Sequence, residues 1–520
     1  MLPKLSNRRL KRVFVVFISF AVCTILFSHV LLDVNQTIKF RIMNIFEEKL
    51  RLDQFNITPQ LIIEGVKRTN PNLPMTFHWQ KDVPQFNNSC ARYVKPLDIR
   101  FNNIYWQVQA LENETYYLYG AYYDNRTWPN KFAPMVRVLT IIDKVGLNIS
   151  RHVYCQLWFA NITRPIIVRV FHFQYLLKAE WGYLHIPLRP YLLSCMVPTK
   201  FGTVPDSVSI VQEPCENATN NLRVIDNRLQ GEKQDFAVCV KSLNFNNHPQ
   251  MAIRLVEWIE LLRILGANRI IFYQLQVHPN ISKVLEYYSK TWNVDVVPMT
   301  MPGNYPNVPE LMNQLMGENG MYQWIQDLID YNDCFYKYYN SFRYMVLIDV
   351  DEVIIPLNGV DTWHDLIFKM AIPKAKAIKN VTYSNFVARN VYFMDISSET
   401  RWSPSPDIPP YMHILQNVVR RVDPSPPGYY VKSFHSTETV FALHNHYSRS
   451  YLAESGSAVD WGEYYEFGLH EAQLQHYCVR KLKPDCQVQP ANQTADTSAL
   501  KYQDRLIAAT RRALRNVGIL

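Results

Sequence analysis

Between Phe236 and Glu352 the chain alternates short apolar runs with amphipathic segments, and this alternation limits the fold more than any other feature. Phe236-Ala-Val-Cys-Val reads as a short buried strand. Asn247-His-Pro then opens a helix, with Pro249 in the first turn where its missing N–H costs nothing. Met251, Leu255, Trp258, Ile259, Leu262 and Leu265 recur on one face, Arg254, Glu257, Glu260 and Arg263 line the other, and Gly266 is placed to cap the end. Next come the strand Arg269-Ile-Ile-Phe-Tyr-Gln, a helix near 281–290 and the strand Val294-Asp-Val-Val-Pro. A Pro/Gly/Asn-rich loop at 302–309 leads into a helix near 321–338 and a last strand that ends at Asp349. The pattern predicts an α/β fold, a mostly parallel sheet with flanking helices and right-handed crossovers. Gly-x-Gly-x-x-Gly and P-loop motifs are absent, which disfavours dinucleotide-binding and ATP-hydrolysing folds of those types.

The last strand carries the chemistry. Tyr344-Met-Val-Leu-Ile-Asp-Val-Asp-Glu is an apolar run that ends abruptly in Asp349, Asp351 and Glu352. Open α/β sheets place ligands outside the carboxyl ends of their strands. On an extended backbone, Asp-x-Asp aims two carboxylates to one side. Hard oxygen ligands of this kind suit Mn²⁺ or Mg²⁺, and those ions suit a diphosphate. The reading is transfer from a nucleotide-sugar. A bare Asp-x-Asp arises by chance in a chain this long; the position after a buried strand is what lifts it above a solvated turn.

The remaining sequence sets a compartment. Val13–Leu32 has no charged residue and spans about 30 Å as a helix, enough to cross a bilayer. Lys4, Arg8, Arg9, Lys11 and Arg12 precede it, which predicts a cytosolic tail at 1–12, a signal anchor at 13–32 and a luminal remainder. A cleaved signal peptide would need a small-x-small site, and Asp-Val-Asn-Gln follows instead. Asn-x-Ser/Thr sequons stand at Asn35, Asn56, Asn87, Asn113, Asn125, Asn148, Asn161, Asn217, Asn280, Asn380 and Asn492. Apart from Cys23, the cysteines lie beyond the anchor and permit disulfides; Cys478–Cys486 and Cys195–Cys215 are the short-range pairings expected. No Cys-x-x-Cys supports a zinc or redox motif. The net charge of +9 comes partly from the tail and forms no long basic run, so nucleic acid is not indicated.

Residues 33–84 read as a stem. Ile42, Ile45 and Leu50 recur at helical spacing within 40–52, which would suit contact with a second copy in a homodimer, but a loosely ordered spacer is preferred. Residues 85–228 are rich in aromatic and β-branched runs, from Ile104-Tyr-Trp-Gln-Val to Ile166-Ile-Val-Arg-Val-Phe, and predict a sandwich-like β-rich domain that supports its neighbour. A catalytic domain at 235–482 and a C-terminal segment with a helix at 483–520 complete the layout.

Several spaced motifs resemble glycosyltransferase family 92: Cys239-Val-Lys-Ser, Val256-Glu-Trp-Ile-Glu, Asp333-Cys334, Leu347 to Pro356, Val431-Lys-Ser, Thr437-Glu-Thr-Val, His444 and Gln475-His-Tyr477. The family's His-Tyr-Arg is His476-Tyr477-Cys478 here. The resemblance covers about 235–482. It implies a GT-A fold, Mn²⁺ (or Mg²⁺), and galactosyl transfer from UDP-galactose with inversion to a β-1,4 linkage. Within the family the chain looks most like vertebrate members that extend β-galactosides on N-glycans in the Golgi. It also implies roles. Asp349 and Asp351 are the expected metal ligands, with His476 as the third and His444 and His446 competing for that place. Glu352 would orient Asp351. Glu438 matches a family position for the catalytic base, with Glu466 and Glu471 as alternatives. Lys241 and Ser242 would meet the donor nucleotide together with Asp349 and Asp351. Trp461, Tyr464 and Tyr465 would stack on the acceptor, unless they form a core cluster. The competing function is a non-catalytic, glycan-binding type II membrane protein with a transferase-like domain.

Overall fold

The computed structural model describes residues 64–66, 68–74, 90–94, 98–126, 134–144, 152–160, 162, 164–177, 188–229, 231–305, 307–394, 405–452, 458–477 and 492–520. The chain divides into two units, 1–69 and 70–520. Of the first, the described residues 64–66, 68 and 69 are helical. The expected anchor Val13–Leu32, most of the stem and the Cys478–Cys486 pair lie outside the described residues. Among the described residues, no helix is long and apolar enough to cross a membrane.

The second unit opens with a β-rich domain. Its strands are β1 (Phe101–Asn102), β2 (Trp106–Ala110), β3 (Thr115–Asp124), β4 (Met135–Asp143), β5 (Tyr154–Trp158), β6 (Ile166–Tyr175), β7 (Leu188–Met196), β8 (Ser207–Val211) and β9 (Leu222–Ile225). They pair in the order β1-β2-β3-β4-β7-β6-β5-β8-β9, and β9 also pairs with β3. This corrects the expected sandwich. The parallel β3–β9 contact closes strands β3 to β9 into a ring, which removes the open edges two separate sheets would leave. Bulges at Leu118/Gly120 and Val170/His172 bend the long strands enough for closure. Disulfides Cys90–Cys215 and Cys155–Cys195 lie in this domain. The expected Cys195–Cys215 pairing is therefore wrong: Cys195 on β7 meets Cys155 on β5, and Cys215 meets Cys90, 125 positions away.

The α/β domain follows as β10 (Gln234–Phe245), α1 (Met251–Leu265), β11 (Arg269–Val277), α2 (Pro279–Thr291), β12 (Val294–Pro298), α3 (Pro309–Glu318), α4 (Gly320–Tyr338) and β13 (Phe342–Leu347). Beyond it come β14 (Glu352–Pro356), α5 (Ile372–Ile378), β15 (Asn385–Ala388), β16 (Asn390–Phe393), α6 (His413–Gln416), β17 (Val419–Arg421) and β18 (Lys432–Ser436). The last elements are β19 (Val440–Leu443), β20 (Ser448–Leu452), β21 (Ala458–Val459), β22 (Tyr464–Glu466), β23 (Ala472–Tyr477), β24 (Gln493–Ala495) and α7 (Gln503–Val517). The central sheet runs β12-β11-β10-β13-β18-β15-β22. β10 to β13 are mutually parallel, β18 runs antiparallel to both β13 and β15, and β22 is parallel to β15. Strand order reverses between β10 and β13, the kind of switch point where such sheets bind ligands. A second sheet, β14-β23-β16-β17-β24, has no counterpart in the sequence reading.

Two cores flank the central sheet. One joins its inner face to α1, α2 and α7. Gly266 ends α1 as expected, with φ of 105° and its N–H donating to Leu262 (3.1 Å) and Arg263 (3.2 Å). The presumed polar face of α1 is a correction: Glu257 and Glu260 are buried. Glu257 accepts the backbone N–H groups of His413 (2.6 Å), Ile414 (3.0 Å) and Leu415 (3.3 Å), and Glu260 accepts from Tyr288 (2.7 Å). The other core sets α4 between the sheet and the β-rich domain, with Trp106, Tyr119, Ile325, Ile329, Phe335 and Leu347 in one cluster. A helix covered on both sides buries most of its length. Cys239–Cys334 ties α4 to β10.

Candidate active site

β13 stops at Leu347, and Asp349 to Glu352 form a turn closed by the Glu352 N–H donating to the Asp349 carbonyl at 3.0 Å. This corrects the extended Asp-x-Asp. A turn sends the two carboxylates apart instead of aligning them. Asp349 faces lysines: Lys241 Nζ lies 2.8 Å from Oδ2 and Lys432 Nζ 3.5 Å from Oδ1. Asp351 faces the second sheet, where His476 Nε2 is 3.3 Å from its Oδ2.

The second sheet explains how His476 gets there. β14 and β23 pair Glu352 directly with His476, and β16 pairs Tyr392 with it on the other side. Tyr392 lies over the imidazole at 5.0 Å between centroids. Glu352 Oε1 is 3.5 Å from His476 Nδ1, so Glu352 orients His476 through the nitrogen that faces away from Asp351. Glu352 Oε2 also accepts the Asp349 N–H at 3.0 Å. Its described contacts are to His476, Asp349 and Lys432.

Lys432 enters from β18, whose reversed direction brings its first residue to the carboxyl end of β13. Its side chain is fully buried, 3.4 Å from Glu352 Oε2 and 2.7 Å from Asn445 Oδ1. Sequence reading quoted this lysine only as part of a motif; a buried cation among carboxylates has no signal in one chain.

The acids of α4 complete the electrostatics. Ser242 donates to Asp330, which also accepts from Gln326 at 2.9 Å. Asp333 accepts from Tyr122 of the β-rich domain, from Tyr273 (2.6 Å) and from Lys337 (2.6 Å). Asp327 is buried and receives no side-chain hydrogen bond. Burial pushes its carboxyl up to about 7; Lys241 and Lys432 pull the other way and Asp349 adds to the rise. Burial also opposes charge on Lys241, but the carboxylates of Asp349, Asp327 and Glu352 outweigh it and hold the ammonium above the ordinary lysine range.

A cavity of about 250 Å³ opens at this cluster, with Lys241, Ser242, Asp349 and Asp351 on one side and Phe245, His248 and Met251 on the other. Lys241 and Ser242 therefore share it with both aspartates. The remaining expected residues do not. Thr437 accompanies the start of β13, donating to Phe342 O at 2.7 Å, so the exposed Glu438 lies at the opposite end of the sheet from Asp349. Glu466 is on β22, three strands from β13. Glu471 lies beside the Pro356 end of the β14–β23 ladder, away from Glu352 and His476. There it binds Lys374, the Tyr465 hydroxyl (3.0 Å) and the Gly468 N–H (2.8 Å). Tyr465 is buried in the core, while Trp461 and Tyr464 are exposed near the outer edge of the sheet, away from the cavity. His446 and His444 border a separate small cavity.

Two of the expected metal ligands do meet. Adjacent ligands about 2.1 Å from one octahedral ion lie about 3 Å apart. The Asp351–His476 separation of 3.3 Å fits that, and the Glu352 contact to the outer imidazole nitrogen is the usual support for a metal-bound histidine. Among the described residues, no three His, Cys, Asp or Glu side chains converge as a metal site.

Residues 234–509, more than half of the chain, match the sequence model of glycosyltransferase family 92. The chain belongs to glycosyltransferase family 92. Its fold is glycosyltransferase-like, with mixed sheets and helices behind a β-rich domain. A comparison with curated proteins finds no match. Among solved structures, S. aureus TarS 1-349 matches at 12% identity over 39% of this chain and 47% of that one, with a TM-score of 0.19. TarS 1-349 in complex with UDP-GlcNAc matches at 12% identity over 46% and 60%, with a TM-score of 0.20. The WbbM bifunctional glycosyltransferase matches at 11% identity over 34% and 28%, with a TM-score of 0.16. This chain thus spans about half the length of the first of these, 47%.

Proposed function

We propose that this family 92 member transfers galactose from UDP-galactose, with inversion to a β-1,4 linkage, onto a galactose-terminated or other N-glycan. Its place of action is the Golgi lumen, held there by the apolar segment at 13–32. The observation that carries the reading is the cluster at the sheet's switch point. Asp351, 3.3 Å from His476, stands beside a Lys241–Asp349 pair at the wall of one cavity. Phe245 and His248 offer ring surfaces to a base, and Asp349 offers a carboxylate to a ribose. Asp351 and His476 would hold Mn²⁺, which when bound neutralises charge on the diphosphate as it departs. Lys241 keeps a further positive charge at the same wall.

The test is a donor screen on the purified full-length protein, with Mn²⁺ and with excess chelator, followed by linkage analysis of the product. The expected result is galactose transfer that stops in chelator. Equal turnover in chelator, or transfer of a different sugar alone, overturns the corresponding part of the reading.

A further inference from the structure

Beside α4's first turns lies a smaller cavity of about 70 Å³, whose Asp327 interacts with Lys241 and Asp349 of the donor cavity. Trp324 and Asp327 of α4, His444 and His446 beyond β19, and Leu177 of the β-rich domain line it. Three features mark it as a built site. Asp327 is 2% exposed, and no side chain donates a hydrogen bond to its carboxylate, which the Ser242 backbone and the charges of Lys241 and Lys432 only partly answer. A buried carboxylate that lacks side-chain donors and stands beside a cavity has acceptor capacity left for a ligand hydroxyl. His446 donates Nδ1–H to the Val431 carbonyl at 3.2 Å, which leaves Nε2 as an acceptor. Desolvation and Lys432 keep that ring neutral, with its pKa down to about 3.

The third feature is the rim. Trp324 is 48% exposed and Tyr430 is 56% exposed. The Tyr430 ring stands edge-on to His446 at 6.0 Å. Its backbone has φ of 53°, a conformation that costs a tyrosine energy, and the Asn390 side chain holds it by donating to its carbonyl at 3.2 Å. The same Asn390 side chain lies 3.4 Å from His476 Nδ1, so the loop that presents Tyr430 is fastened to the donor site. Large, partly exposed aromatic rings beside convergent polar groups suit the apolar faces of a pyranose.

We infer that this cavity and its rim are the acceptor subsite, with the terminal sugar across Trp324 and Tyr430 and its reactive hydroxyl directed at Asp327. This rests on the donor reading above. As the acceptor oxygen bonds to the anomeric carbon, the bond from that carbon to the diphosphate oxygen breaks. UDP leaves with the electron pair, and the hydroxyl proton passes to the Asp327 carboxylate. The β-rich domain thereby supplies part of the acceptor wall through Leu177.

The experiment uses the full-length protein, with methyl β-D-galactoside as acceptor probe and UDP as donor-site probe. Trp324→Ala and Tyr430→Gly should raise the acceptor KM about tenfold with UDP affinity unchanged. Glycine tolerates the positive φ, so Tyr430→Gly removes the ring and leaves the loop. Asp327→Asn should lower kcat at least a hundredfold while ligand-observed NMR still detects both probes. Unchanged acceptor KM in both aromatic variants, or kcat within threefold of wild type in Asp327→Asn, overturns the assignment. Absence of UDP binding in the wild type overturns the donor reading instead.

Discussion

Replacing Lys432 with methionine is the sharpest probe of how the site is held together. The ammonium is fully buried, 3.5 Å from Asp349 and 3.4 Å from Glu352. At an effective dielectric near 20, each contact is worth about 5 kcal/mol of attraction, roughly 10 kcal/mol gross. Desolvation of the ammonium offsets several kcal/mol of this. Methionine keeps the length and removes the charge, but it does not return the carboxylates to water. Asp349 retains Lys241 at 2.8 Å, so Glu352, left with the more distant Lys241 charge and the Asp349 N–H, loses most. A broken buried pair of this kind costs about 3–5 kcal/mol. The assay is urea unfolding of the wild type, Lys432→Met, Glu352→Gln and the double variant. The expected result is a loss of about 3–5 kcal/mol in Lys432→Met and a coupling of about 2 kcal/mol in the cycle. A Lys432→Met variant within about 1 kcal/mol of wild type, or strictly additive losses, would refute the view that this lysine neutralises the turn.

Asp351→Ala and His476→Ala should each weaken Mn²⁺ binding, measured by calorimetry, at least tenfold while secretion and melting temperature stay near wild type. Glu438→Gln should leave turnover within about twofold, because its carboxylate is at the wrong end of the sheet; a loss of a hundredfold would reverse that placement. Burial holds Glu257 up at about 7 against 4.5 for a free carboxyl, in spite of three backbone donors. The folded protein thus keeps a proton that the unfolded chain has already released. That stabilisation is complete below about 4.5 and falls by about 3 kcal/mol as pH rises through 7. Glu257→Gln should flatten this part of a stability–pH profile, and an unchanged slope would count against it. Cys239→Ala with Cys334→Ala opens a loop of 95 residues, and should cost about 4–5 kcal/mol of resistance to urea on the chain-entropy account.

Much of the α/β frame was legible because its signals are local. The face of α1, its Gly266 cap and the strand that runs out into acids are each written within one element, and all are present. Lys241 and Ser242 followed from standing at the end of β10. What failed depends on direction or pairing. Glu438 was expected at the site from its family position, yet β18 carries the chain from one end of the sheet to the other between Lys432 and Glu438. About 3.4 Å per residue over six residues separates them by roughly 20 Å. Glu257 and Glu260 looked like a solvated face because nothing local announces that α6 and Tyr288 will cover them. His476 reaches Asp351, 125 positions away, only through the β14–β23 ladder, so the family resemblance, not spacing, was its sole signal.

The three acids of α4 show why the site lies where it does. Asp327, Asp330 and Asp333 recur every third residue, so they follow one side of a helix that is covered on both faces. Their satisfaction declines toward the helix start. Asp333 has two tyrosines and a lysine, Asp330 a serine and a glutamine, and Asp327 no side-chain donor. The first two fasten the β-rich domain and β10 to the helix, and Cys239–Cys334 locks the same junction. That anchoring holds the helix start in place, where a buried carboxylate without a side-chain donor would otherwise be relieved by a small shift. The unsatisfied member lies beside both lysines and beside a cavity with aromatic walls. A fold tolerates such a group where a substrate supplies the missing hydrogen bond, and the rigid end of α4 is what keeps it waiting there.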